Sequence, residues 1–386
     1  MMFERVLLTT KKWVLEIGHN TPIGILDLAP YLRKHGYAVD VFYLDDIPKE
    51  QTYDIVGLSV FGSDYKNKHV VKDVKRLRKR FPAAKIVIGG RWTHTVDQAT
   101  IAKLGKFGAE IYKGQGEDYF VKNAPIDFDN YPAWERKDLE ALKDFDNTMM
   151  TSRGCPYDCY FCHNIERKMK YFSAKRSAEI FKLLFDAGKD EIFIVDDVFT
   201  VKSEHMQALY DECLARNIPI VGRNQFFSHI GVIKEKTCEI MALFKPRLVQ
   251  VGLESGDDGM LQRMSKGFDS KKAEDRIALL SQHVPIFGLF LIGYPGETKE
   301  SLENTYNFVK RISPYLDDIW VSLFQPVPGT VGFEEAKTHG RMVNRGFQIN
   351  NVVTYIDNNL SKRLLVHYKK QILSLAKQMG ERKKAS

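Results

Sequence analysis

SRGCPYDCYFCHN (152–164) decides the reading of this chain, because it places Cys155, Cys159 and Cys162 within eight residues. The protein has 386 residues and only five cysteines, and the other two, Cys213 and Cys238, stand alone. Clustered thiols in so cysteine-poor a chain indicate metal or redox chemistry rather than a disulfide scaffold. A structural zinc normally takes four ligands in two separated pairs. Here there is no second cysteine pair, and His163 would have to crowd a fourth ligand into the same short loop. Soft thiolates also suit iron–sulfur clusters. A full set of four protein ligands suits plain electron transfer, whereas three leave one iron open to another ligand. The spacing favours such a reactive cluster, with zinc as the other reading.

Downstream, apolar runs mark six strand candidates: TMMTS (148–152), IFIV (192–195), IPIVG (218–222), LVQVGL (248–253), IFGLFLI (286–292) and IWVSLF (319–324). Helical patterns separate them. Met206, Leu209, Tyr210 and Cys213 share one helix face, so Cys213 reads as core, as does Cys238 beside Met241. Six βα units are too few for a closed eight-fold barrel, and an open, partial (β/α)6 barrel is expected.

Upstream, the same alternation begins at RVLLT (5–9). Ile25, Leu28, Ala29 and Leu32 follow at the spacing of one buried helix face, with Gly36 as its stop. AVDVFYL (38–44) and DIVGLSVF (54–61) are strand-like. Val70, Val74 and Leu77 mark a second helix, KIVIGG (85–90) another strand, and a third helix leads to AEIYKGQGE (109–117). This pattern predicts a Rossmann-like, flavodoxin-type parallel sheet, whose ligands bind beyond the carboxyl ends of the strands, where Ser59, Gly89 and Gly90 fall. NAPIDFDNYPAW (123–134) opens a segment with little periodicity. The expected domains are therefore 1–122, a linker over 123–147, a core over 148–330, and a helical extension over 331–386 that carries Leu365, Tyr368, Ile372, Leu375, Ala376 and Met379 at helical spacing.

The chain is 44% hydrophobic and 27% charged, which excludes disorder throughout. Its longest apolar stretch, 284–295, is broken by Gly and Pro and is too short for a bilayer span. The first residues lack a secretory signal, so a cytoplasmic setting is expected. Net charge is +8, with eight basic residues and one acid between Lys66 and Arg80 and a basic tail over 362–384. Both stretches read first as solvated helix faces and second as docking surfaces for a polyanion such as nucleic acid, or for an RNA, DNA or nucleotide substrate.

The cysteine loop, with Phe161 before its third cysteine, resembles that of the radical S-adenosylmethionine (SAM) superfamily. IVDDVFT (194–200), VGLESG (251–256) followed by MSKGF (264–268), GLFLIGYPGET (288–298) and FQPVPGT (324–330) are similar, in order, to that family's later motifs. The resemblance implies a [4Fe-4S] cluster on Cys155, Cys159 and Cys162, whose open iron is chelated by SAM. Electron transfer to the sulfonium then yields a 5′-deoxyadenosyl radical that removes substrate hydrogen, so the difficult chemistry belongs to the cofactor. It also implies SAM contacts from Phe161, Asp196, Asp197, Glu254, Gly293 and Gly296, and a reductase or flavodoxin-type electron donor as partner. The plainer alternatives are a solvated turn for the two aspartates, a salt bridge for Glu254 and ordinary turns for the glycines. The family's third strand often ends in an Arg or Asp pair. Here it runs GRNQFFSHI (222–230), and Arg223 has no matching role.

The first third resembles the cobalamin-binding domain that precedes the radical core in one branch of that superfamily. TPIGILDLAPYLRKHGYAVDVFYLD (21–45), DIVGLSV (54–60), IVIGGRWTH (86–94), YKGQGED (112–118) and the boundary YPAW (131–134) carry the likeness. It implies cobalamin near Ser59, Gly89, Gly90 and Gly114, with His19 and His94 either beside the corrin or ordinary surface histidines. No Asp-x-His-x-x-Gly occurs, so a mutase-type axial histidine is not evident. The implied reaction is methyl transfer from methylcobalamin to a carbon of an unidentified organic substrate. The alternative is a radical SAM cyclase or rearrangement enzyme whose first domain does not use cobalamin. A third reading is a metal-binding module without catalysis that docks nucleic acid.

Overall fold

The computed structural model describes residues 4–12, 21–61, 67–122, 124–143, 145–164, 166–343 and 353–385, with side chains to 376. They fold as two compact units. The first comprises Met1–Met149 with Lys175–Lys189, the second Met150–Ala174 with Asp190–Ser386.

In the first unit the strands are β1 (Arg5–Thr10), β2 (Ala38–Tyr43), β3 (Ile55–Ser59), β4 (Lys85–Gly89) and β5 (Ala109–Ile111). They form one parallel sheet in the order β2-β1-β3-β4-β5. The helices are α1 (Ile23–Lys34), α2 (Asn67–Arg80), α3 (Gln98–Gly105), α4 (Gly116–Phe120) and α5 (Arg136–Ala141). The expected face of α1 is inward, with Ile25, Leu28, Ala29 and Leu32 buried. α2 turns Val70, Val74 and Leu77 onto Val56, Ile86 and Ile88 of the sheet core. Its basic residues are partly engaged within the unit. Arg76 pairs with Asp45, and Arg78 donates to the carbonyls of Phe107 and Ala84 at 2.8 Å. Those arginines brace loops, which accounts for part of the basic run between Lys66 and Arg80.

The segment 123–147 read as a linker falls within this first unit, and so does most of α6 (Ala174–Asp186), which follows the cysteine loop in sequence. The attachment is a buried ion pair. Arg176 of α6 meets Asp27 of α1, each 2% exposed. Trp134 Nε1–H also donates to Asp27 at 2.7 Å, and Arg176 Nε donates to the Pro132 carbonyl at 3.0 Å. Tyr131 lies under the guanidinium, 5.2 Å from ring centroid to Cζ.

Short strands β6 (Thr148–Met149), β7 (Ser152–Arg153) and β8 (Lys170–Tyr171) flank the cysteine loop, β7 pairing antiparallel with β8. The second unit's parallel sheet then runs, in spatial order, through β9 (Ile192–Ile194), β10 (Asn224–Ser228), β11 (Leu248–Glu254), β12 (Ile286–Ile292) and β13 (Asp318–Leu323). Helices α7 (Ser203–Ala215), α8 (Glu235–Leu243), α9 (Asp258–Arg263), α10 (Ser270–Leu280) and α11 (Lys299–Ile312) connect them. Cys213 and Cys238 are fully buried. After the sheet come α12 (Val331–His339), a hairpin of β14 (Gly340–Met342) with β15 (Tyr355–Asp357), and α13 (Lys362–Ala385).

One strand expectation fails. IPIVG (218–222) is not a strand, and the third strand of the series is NQFFS (224–228). Ile218 and Ile220 are buried, but their amides bond locally to the Cys213 and Ile218 carbonyls, and Pro219 has no N–H to offer a ladder. In β10 burial alternates, with Asn224 as an inward polar residue whose amide caps the Ile220 and Phe244 carbonyls. Apolar content alone could not separate these neighbours.

Candidate functional site

The cysteine loop leaves β7 through Gly154, whose φ is +97° and where a side chain would meet the Lys168 carbonyl and the Glu166 side chain. Only glycine enters this turn without strain. The loop backbone is pinned at several points. The Cys155 N–H donates to the Glu166 carbonyl at 3.0 Å, the Tyr160 N–H to the Met264 carbonyl at 3.1 Å, and the Gly332 N–H to the Tyr160 carbonyl at 2.8 Å.

All three loop cysteines are unbridged; Cys155 is half-buried, Cys159 buried and Cys162 exposed. Burial pushes the Cys155 thiol up to about 11, with the negative charge of Asp197 adding to it. Burial also raises Cys159, against the pull of the Lys266 charge. Among the described residues no three His, Cys, Asp or Glu side chains are gathered as a preformed metal cage. The fit to a cluster therefore lies in the donor set: three unbridged thiols, close in sequence, on a loop fixed by its backbone. Such thiols lose their protons to the metal as it binds.

The two aspartates of IVDDVFT grip this loop at both ends. Asp196 is fully buried; it accepts from the Thr151 N–H at 2.6 Å, the Thr151 hydroxyl at 2.7 Å and the Ser152 hydroxyl at 2.6 Å. Burial raises its carboxyl to about 6. His205 lies 3.0 Å from the Thr151 hydroxyl and is kept neutral by burial, which lowers its pKa to about 4. Asp197 accepts from the Asn164 amide at 3.0 Å, where the loop ends. Asp196 and Asp197, expected as SAM contacts, thus have observed partners on either side of the cysteines.

Glu254 closes β11 at a register shift and holds φ +63°, a left-handed conformation that costs a non-glycine residue on the order of 1–3 kcal/mol. Its carboxylate pairs with the Lys266 ammonium at 3.2 Å. Lys266 is 4% exposed and lies 5.7 Å from the ring centroid of Phe161 and 5.6 Å from that of Phe268. Burial opposes its charge, but Glu254 and Cys159 hold its pKa above the ordinary lysine range. Lys266 is a residue that sequence reasoning passed over inside MSKGF, although a lone lysine between Met264 and Phe268 was the available signal.

His229 is a second missed residue. Its ring stacks on Tyr157 of the cysteine loop, centroids 3.6 Å apart, and its Nδ1 accepts from the Gly231 N–H at 3.0 Å. That bond puts the proton on Nε2, which is buried without a partner among the described residues.

Gly293 (φ +83°) and Gly296 (φ +86°) bound a turn after β12. The Gly293 N–H donates to Glu297 at 3.0 Å, and the Gly296 N–H to Asp357 at 2.7 Å. Phe161 and Tyr160 pack against Met260, Met264, Leu291, Tyr294, Phe324, Ala336 and Tyr355. Cysteine loop, glycine turn and C-terminal hairpin thereby meet in one apolar cluster.

In the first unit, Thr10, Ser59 and Gly89 lie side by side in register at the carboxyl ends of β1, β3 and β4. The Thr10 hydroxyl donates to the Ser59 carbonyl at 2.8 Å. β1 and β3 are where the strand order reverses, the crevice in which doubly wound sheets bind ligands. Among the described residues, nothing lies within 4 Å of where a Cβ on Gly89 would stand. Gly90 differs, with φ +92° and a position where a Cβ would collide with the Val60 carbonyl. Gly114 is exposed beyond β5, beside Tyr112. His94 is half-buried after β4, with its pKa lowered by burial and the charges of Lys113 and Arg91, whereas His19 lies outside the described residues. No helix among the described residues is long and apolar enough to cross a membrane.

Comparison with known proteins fits this geometry. Residues 149–309 match the Radical SAM superfamily model. An uncharacterized methyltransferase of Pyrococcus horikoshii is 24% identical over 366 residues, covering 82% of this chain and 78% of that protein. The radical SAM methyltransferase TsrM of Kitasatospora setae, solved with tryptophan and a SAM analogue, aligns over 96% of this chain and 89% of its own with a TM-score of 0.76 at 15% identity. The cobalamin-dependent radical SAM enzyme OxsB, solved with aqua-cobalamin and SAM, has a TM-score of 0.68 at 16% identity and covers 87% of this chain, which spans 55% of OxsB.

Proposed function

With residues 149–309 matching the Radical SAM superfamily model, we propose that this chain is a cobalamin-dependent radical SAM enzyme that methylates a carbon of an organic substrate. The observation that carries this is the loop of three unbridged cysteines, Cys155, Cys159 and Cys162, gripped at both ends by Asp196 and Asp197. When bound, the cluster with SAM supplies a radical able to take hydrogen from an unactivated carbon, and cobalamin a transferable methyl group.

The chain's own residues have narrower tasks. The three cysteines hold the cluster. Asp196, through Thr151 and Ser152, fixes the loop's entry, and Asp197 fixes its exit. Lys266 sets a positive charge near Cys159 and orients Glu254 toward SAM, while Phe161 screens that charge from water. The Gly293–Gly296 turn offers a backbone surface to the adenosine half. Ser59 and Gly89, small residues at the ends of β3 and β4, would lie beside the corrinoid; the likeness to the cobalamin-dependent OxsB supports the cobalamin reading, and the methyltransferase among the relatives supports methyl transfer. A one-electron donor of the reductase or flavodoxin type would reduce the cluster.

Anaerobic reconstitution tests this. The protein should hold about four irons and sulfides on one cluster, bind a corrinoid, and form both 5′-deoxyadenosine and S-adenosylhomocysteine from SAM. The Cys159→Ala variant should lose the first product while its first unit stays folded. Formation of 5′-deoxyadenosine without corrinoid or S-adenosylhomocysteine would transfer the assignment to a cyclase or rearrangement enzyme. Zinc in place of iron would end the radical reading.

A further inference from the structure

The glycine turn is held from far downstream in the chain. Gly296 adopts φ +86°, and a Cβ there would lie 2.7 Å from Arg263 Nε. Its N–H donates to Asp357 Oδ2 at 2.7 Å. Asp357 ends β15 and is 2% exposed. The Tyr355 hydroxyl donates to the same oxygen at 3.0 Å, and the Asn359 N–H donates to Oδ1 at 2.9 Å. Arg263 holds the turn from another side, its Nε donating to the Pro295 carbonyl at 3.0 Å.

Tyr355 is itself wedged in place. Its ring meets Phe324 edge-on, centroids 5.8 Å apart, within the cluster that contains Tyr160 and Phe161. The hairpin that carries it is set by Gly340, opposite Asp357 in register, where a side chain would collide with the Ile356 carbonyl. A buried carboxylate with three donors is a rigid support, because each charge-assisted bond fixes its direction. The turn's two left-handed glycines gain conformational freedom once that support is removed.

We propose that Asp357, carried by the C-terminal hairpin, is a positioning residue that fixes the Gly293–Gly296 turn in the shape to which the adenosine half of SAM binds. This rests on the reading of that turn as a SAM surface. It gives the region after residue 330 a task inside the site, and it predicts a binding defect rather than a chemical one. A turn free to move must be ordered by the ligand, which lowers affinity without altering events at the cluster.

The test uses the full-length, cluster-reconstituted protein. Asp357→Asn keeps the shape and loses the charge; Tyr355→Phe removes only the hydroxyl that supports Asp357. Iron and sulfide content and melting temperature should stay near wild type in both. The Kd values for SAM and for S-adenosylhomocysteine should rise together, about tenfold in Asp357→Asn and less in Tyr355→Phe. The rate of uncoupled SAM cleavage at saturating SAM should remain within about twofold, with the loss in KM rather than kcat. A well-folded Asp357→Asn with wild-type affinity for both ligands would overturn the proposal. So would binding lost only in proportion to lost iron and melting temperature, the mark of a structural brace. Wild-type protein that loads no cluster and binds no SAM would instead bring down the underlying reading of the site.

Discussion

Lys266 and Glu254 form an ion pair of 3.2 Å whose side chains are only 3% and 13% exposed. The pair joins the end of β11, where Glu254 holds φ +63°, to the stretch after α9, and Phe161 brings the cysteine loop against it. Neither charge is free to relax into water, so each depends on the other.

Removing Lys266 alone should be costly. Lys266→Met leaves a carboxylate uncompensated in a largely buried place, a change worth about 3–5 kcal/mol. Lys266→Met combined with Glu254→Gln should recover at least ~1 kcal/mol of that loss. Urea unfolding of the four proteins in a double-mutant cycle measures it. Additive losses would mean that the two side chains are independent.

Glu297 makes stability fall with rising pH. It is fully buried, and burial raises its carboxyl from 4.5 to about 7 despite bonds from Ser301 and Gly293. The folded state therefore keeps its proton longer than the unfolded chain. Stability from this group is complete below pH 4.5 and is lost as pH rises through about 7. Against Glu297→Gln, wild type should lose up to ~3 kcal/mol across that window. Denaturant titrations of both proteins at pH 5 and pH 8 check the sign; a difference that does not change would refute it.

Gly89 and Gly90 should separate binding from stability. No described residue stands within 4 Å of a Cβ on Gly89, so Gly89→Val should leave the melting temperature nearly unchanged while weakening corrinoid binding. Gly90→Ala meets the Val60 backbone at φ +92° and should destabilise by about 1–3 kcal/mol. Melting curves and corrinoid titrations on the same preparations decide this. Unaltered corrinoid affinity in Gly89→Val would move the site elsewhere.

The Arg176–Asp27 pair should be a weak point of the first unit. Each side chain is 2% exposed, and Arg176→Met removes the positive charge that faces buried Asp27, whose carboxylate also accepts from Trp134. A loss of about 3–5 kcal/mol is expected, with Asp27→Asn less harmful. Urea unfolding followed by tryptophan fluorescence reports on it. A loss below ~1 kcal/mol would mean that packing, not charge, holds α6 there.

Local signals were legible where spacing carries physics. The α1 face, the glycine ends of β4 and β12, and the cysteine loop all follow from periodicity or from chemistry confined to a few neighbouring residues. The misplaced third strand shows the limit: IPIVG is more apolar than NQFFS, yet Pro219 and the local bonds of Ile218 and Ile220 keep it out of the ladder. Partnerships over long sequence distances left no trace in spacing. Asp357 lies 61 residues from Gly296, and Arg176 lies 149 from Asp27. Lys266 is a similar case: the lone lysine within MSKGF is visible in the sequence, but its spacing does not say that its partner is the carboxylate twelve residues earlier.

The backbone passes from one compact unit to the other three times, after Met149, after Ala174 and after Lys189. A single recombination point therefore cannot graft the first unit onto a different catalytic partner. A chimera joined at residue 150 would leave the helix of Arg176 behind and open the Asp27 pocket to water. The two halves have to be inherited, swapped or engineered as an interlaced pair.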